Sequence, residues 1–160
     1  MNTMPSVLHH NAKPLDRILV IDDLPLIPLA FQDVFRSVNP AVRIEYSENI
    51  FTALSAKGYT NTSFDLVITG SLQENYSTSL QQAVTELKKR FGHPLIMIYS
   101  SNYDPQIIEK MATAGIDAYV NKYEPIEEIR RAYRQLSQGE AFVSEIFHTL
   151  YYEYGYGLRK

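Results

Sequence analysis

The chain has 160 residues, 45% of them hydrophobic, with a formal net charge of -3 and no cysteine. That size and apolar content fit one compact domain with its own core and exclude a second full domain. The charge excludes a globally basic surface for nucleic acid or an anionic membrane, and the lack of cysteine excludes disulfides, thiolate metal sites and thiol nucleophiles.

The opening residues, MNTMPSVLHHNAKPLD, lack the basic start and long apolar core of a signal peptide. No run approaches the ~20 apolar residues of a membrane span, so a cytoplasmic protein without membrane contact is expected. Residues 1–15 carry Pro5 and Pro14 and no sustained period, which predicts a flexible tail. The adjacent His9 and His10 in that tail read as solvated side chains rather than metal ligands.

From Arg17 the sequence RILVIDD runs four apolar residues into two carboxylates. Leu19, Val20 and Ile21 predict a buried central strand with Asp22 and Asp23 at its carboxyl end. Open α/β sheets bind ligands outside the carboxyl ends of their strands, so the acid pair is a candidate cation site. The plainer alternative is that Asp23 caps the next helix and Asp22 fills a turn. Pro25 can open a helix, and Leu26, Leu29, Ala30, Val34 and Val38 recur at helical spacing up to Asn39 and Pro40.

Val42 to Tyr46 alternates as an edge strand would, and Ile50 to Ala56 gives a short helix ended by Gly58. Phe64 to Thr69 is the third strand, breaking at Gly70. Ser77 to Phe91 is a longer helix with Lys88, Lys89 and Arg90 at its carboxyl end, where the helix dipole favours cations. Leu95 to Tyr99 is the fourth strand, Pro105 to Ala114 the fourth helix, Ala118 to Asn121 the fifth strand, and a fifth helix begins at Pro125.

Five strands alternating with five helices predict an α/β fold: a doubly wound, five-stranded parallel sheet with helices on both faces. After Gly139, the stripe of Phe142, Ile146, Phe147, Leu150, Tyr151 and Tyr154 predicts an extra C-terminal helix too apolar to leave exposed. The expected division is a tail over 1–15, the α/β domain over 16–138 and a helical extension over 139–160. Tyrosines 151, 152, 154 and 156 have only two basic residues near them, which favours packing or a partner surface over nucleic-acid stacking. No GxGxxG, P-loop, GxSxG or HExxH pattern occurs, so no enzyme is expected.

In this order, the acid pair Asp22 and Asp23, the third strand, and Lys122 after the fifth strand resemble the receiver domain of two-component response regulators, over Arg17 to Leu136. The segment AGIDAYVNK, Ala114 to Lys122, is similar too, with Tyr119 at the family's aromatic switch position. GEAFVS, Gly139 to Ser144, resembles the end of receivers in the LuxR-like helix-turn-helix class. The resemblance implies a flavodoxin-like, CheY-like fold, a role in phosphorelay signalling, and a histidine kinase or downstream regulator as protein partner, with a homodimer as a further option. It implies no direct nucleic-acid contact by this chain.

Two positions depart from the family pattern. Gly70 stands where the phosphoacceptor aspartate belongs, and glycine offers no oxygen to phosphorylate or to give a metal. Tyr99 aligns with the threonine or serine that ends the fourth strand, while Ser100, one residue on, is expected on the other face. With one carboxylate fewer, Asp22 and Asp23 read as a weak or vestigial Mg²⁺ site whose acids are kept ionised by Lys122. The resulting expectation is a pseudo-receiver that acts by protein contact without phosphorylation, through the surface Pro105 to Leu136. The alternatives are a phosphorylation-competent regulator and the receiver half of a DNA-binding regulator.

Overall fold

The computed structural model of the chain describes residues 11–55, 63–70, 80–101, 110–111 and 113–146. Its strands are β1 (Arg17–Ile21), β2 (Arg43–Ser47), β3 (Leu66–Thr69), β4 (Leu95–Ser100), β5 (Ala118–Asn121) and β6 (Phe142–Val143). All pair in parallel, in the order β2-β1-β3-β4-β5-β6. The helices are α1 (Leu26–Arg36), α2 (Ile50–Ser55), α3 (Leu80–Arg90) and α4 (Glu127–Ser137), and residues 110–111 and 113–114 are also helical. Among the described residues no helix is long and apolar enough to cross a membrane.

The strands have the composition of a sheet covered on both sides: every residue of β3, β4 and β5 is buried. Successive side chains alternate between two core layers. Leu19, Ile21, Val67, Ile96, Ile98 and Tyr119 face α2, α3 and the helical turn at 110–114. Ile18, Val20, Ile68, Met97, Tyr99 and Val120 face α1 and α4. Gly92 ends α3 with φ +77°, and a Cβ there would meet the Ser63 Cβ at 2.8 Å, so both backbone conformation and space require glycine.

Three sequence expectations change. The sheet has six strands rather than five, because Phe142 and Val143 extend β5 instead of opening a helix. Phe142 N–H donates to Asp117 O and Ser144 N–H to Tyr119 O. An aromatic and a β-branched residue, one packed in each core layer, suit a pleated edge better than a helical stripe. Helix resumes only at Glu145, and the expected helical residues from 147 onward lie outside the described residues.

The face of α1 also differs. Leu26 and Leu29 are 76% and 60% exposed, whereas Pro28, Phe31, Val34 and Phe35 are buried. Two rings decide the rotation: Phe31 meets Tyr99 edge-on at 5.1 Å, and Phe35 stacks on Tyr133 at 4.8 Å. Burying two aromatics outweighs burying two leucines.

The end of the expected tail is tied down. Leu15 is fully buried, its carbonyl accepts the Tyr133 hydroxyl at 2.8 Å, and Lys13 N–H donates to Ser137 O. Residues 1–10 lie outside the described residues.

Candidate functional site at the carboxyl edge of the sheet

The strand order reverses direction at β1, so the turns after β1 and β3 diverge to opposite sides and leave a crevice at their carboxyl ends. Asp22 enters it directly from β1. Its N–H donates to Ser47 O, which fixes the backbone, and its carboxylate is then fully engaged. Oδ1 accepts the Leu24 amide at 2.9 Å in an Asx turn, and Oδ2 accepts Lys122 Nζ at 3.0 Å. The Asp22 side chain is only 4% exposed and that of Lys122 27%.

Lys122, reaching across from the end of β5, sets a positive charge against this buried carboxylate. Lys122 Nζ also lies 5.5 Å from the centre of the Tyr99 ring, so one ammonium serves the carboxylate and the aromatic face together. Burial, and then the charge of Asp22, raise the Tyr99 hydroxyl above the usual tyrosine value, so Tyr99 is a neutral phenol at physiological pH. Asp23 is exposed.

A Mg²⁺ ion requires near-octahedral oxygen ligation. Here each Asp22 oxygen already accepts one hydrogen bond, and Gly70 offers no side chain. Among the described residues no three His, Cys, Asp or Glu side chains gather as a metal site. The described residues alone do not gather the ligand set that Mg²⁺ takes. Among the described residues, a Cβ on Gly70 would meet nothing closer than the Tyr99 carbonyl oxygen, at 3.9 Å, an ordinary van der Waals contact.

No protein-family model matches the chain. No curated protein matches it either. Solved structures do. A LuxR family DNA-binding response regulator from Silicibacter pomeroyi is 21% identical, with TM-score 0.65 over 82% of this chain and 98% of that one. The isolated REC domain of RcsB from Salmonella enterica serovar Typhimurium, solved with the phosphomimetic BeF3-, is 17% identical, with TM-score 0.67 over 88% and 99%. A response regulator from Thermotoga maritima is 16% identical, with TM-score 0.60 over 78% and 98%. The chain has the receiver-domain fold.

Within that receiver fold, Gly70 directly follows β3, at the position expected for the phosphoacceptor, and Lys122 directly follows β5. The fourth strand reassigns a residue. β4 ends at Ser100, not Tyr99, and its pairing with β5 sets Ile98 opposite Tyr119, Tyr99 opposite Val120 and Ser100 opposite Asn121. Ser100 therefore shares the face of Ile98 and Tyr119, while Tyr99 lies on the opposite face with Lys122. As expected, Ser100 points away from Tyr99, and it lies on the side of the β5 aromatic. Tyr119 is itself buried in the core.

Sequence reasoning did not foresee Phe31 as the partner of Tyr99, nor the exposure of Leu26 and Leu29 beside the site. In the turn after β5, Tyr123 is 74% exposed, and Ile126 is exposed as well. Of the surface expected over Pro105 to Leu136, residues 105–109 and 112 lie outside the described residues.

Proposed function

We propose that this chain is a receiver-fold module of two-component signalling that acts by protein–protein contact without aspartyl phosphorylation. The observation that carries the reading is Gly70 at the end of β3, beside an Asp22 already closed by Lys122. A receiver's acyl phosphate needs a carboxylate nucleophile and a metal held beside it, and this edge of the sheet offers neither in usable form. Lys122 takes the place of an external cation, so the site is electrostatically complete by itself. No catalytic step is assigned to the chain.

Contact with a partner, a kinase, a downstream regulator or a second copy, falls to the surface around that edge. Exposed Leu24, Leu26 and Leu29 follow β1, and exposed Tyr123 and Ile126 follow β5. Their apolar area supports docking at the rim of the closed site as well as along the expected surface from Pro105 to Leu136. RcsB, one of the structural relatives, has been solved as dimers bound to DNA. For the present chain, self-association is the corresponding proposal.

The test is a ¹H–¹⁵N spectrum of the full chain before and after Mg²⁺ and beryllofluoride. The reading predicts no shifts at Asp22, Gly70, Ser100 or Lys122. Saturable shifts at these amides would instead establish a phosphorylation-competent site.

A further inference from the structure

The three-residue turn Lys122, Tyr123, Glu124 serves two places at once. Lys122 closes the acid site, while Glu124 reaches the C-terminal extension. Together with Glu128 in the first turn of α4, it grips consecutive amides there: Glu124 Oε1 accepts the Ile146 N–H at 2.6 Å, and Glu128 Oε2 accepts the Glu145 N–H at 3.3 Å. Ser144, fully buried, stands just before them, and its Oγ accepts the Asn121 N–H at 3.2 Å. Ile146 packs against the core layer of Tyr119 and Ile98.

This junction has one proton position too few filled. Glu124 Oε2 is buried without a hydrogen-bond partner among the described residues. As a bare carboxylate oxygen next to a second carboxyl group, it is costly to keep ionised. One added proton turns that acceptor into a donor, and the carboxylate of Glu128, which accepts the adjacent Glu145 amide, offers an acceptor beside it. We propose that Glu124 and Glu128 form a proton-sharing carboxyl pair that latches the C-terminal extension to the turn after β5. The latch does not depend on whether the acid site can be phosphorylated.

The neighbouring charges assign the roles. Arg131 pairs with Glu128, Glu127 is taken by Arg130, and Lys122 is taken by Asp22. Burial first, and then the charge and hydrogen bonding of Glu128, raise the Glu124 carboxyl above its ordinary value, against the opposing pull of the Ile146 amide and Ser144. A raised carboxyl stabilises the folded state fully below its unfolded value, and that stabilisation fades as pH rises through the folded value. The latch is therefore tighter below the raised Glu124 value and loosens as pH rises through it.

The experiment is an NMR titration of the full chain from about pH 4 to about pH 8, following the Glu124 carboxyl carbon and the Ile146 amide, set against an ordinary glutamate value of about 4.3. The proposal predicts a Glu124 midpoint above that value, an Ile146 shift with the same midpoint, and a several-fold fall in Ile146 exchange protection across it after correction for intrinsic exchange. Glu124→Gln keeps an oxygen for Ile146 and a donor for Glu128, so its protection should not vary with pH. A Glu124 midpoint at or below the ordinary value, or a Glu124→Gln protein that keeps the wild-type pH dependence, would overturn the proposal.

Discussion

Asp22, Lys122 and Gly70 decide what this site can do. Lys122→Met would leave Asp22 buried without its cation, and an unpaired buried acceptor costs about 1–3 kcal/mol. The urea midpoint should fall accordingly, and an unchanged midpoint would show that Asp22 does not depend on Lys122. Gly70→Asp makes the opposite change. It adds a carboxylate at a position where a Cβ meets only ordinary contact, so calorimetry should detect tighter Mg²⁺ binding than in the parent. The added metal should nevertheless leave the Tyr119 ring where it is, because that ring is already in the core and a ligand with no preference between two states shifts neither. Large shifts at Tyr119 in this variant would show that the switch is intact and that only the glycine disables it.

At the scale of elements, β1, β3, β4 and β5 were legible because their apolar runs are dense and end at Asp22, Gly70, Ser101 and Lys122. The Asp22–Lys122 pair was legible for the same reason, since both residues lie at strand ends on one edge. What sequence could not give was rotation and length. Along α1, leucines and phenylalanines share nearly one period, and only the positions of Tyr99 and Tyr133 across the interface choose between them. β4 outruns its expected end by one residue, and Ser100 still lies on the face opposite Tyr99, as alternation along a strand requires. A two-residue strand such as β6 is too short to show alternation. Its burial still has consequences: Phe142→Ala should cost about 3–5 kcal/mol, measured by denaturant unfolding, and a cost below about 1 would argue that β6 is not docked. Tyr133→Phe removes the hydroxyl shared by Leu15 O and Asn39 Nδ2, so it should cost about 1–2 kcal/mol and speed amide exchange at residues 13–16. Unchanged exchange there would mean that the N-terminal segment is held by Leu15 packing alone.

At the scale of the whole molecule, a receiver-type sheet has two core layers and a carboxyl-edge crevice that holds the Asp22–Lys122 ion pair. The architecture around the site does not require its chemistry: both core layers are built from residues other than Asp22, Gly70 and Lys122, so the scaffold can persist as a contact surface. The direct measurement is the intact mass of the full chain after incubation with acetyl phosphate and Mg²⁺. The account predicts an unchanged mass, and gain of one phosphoryl group that hydroxylamine removes would contradict it.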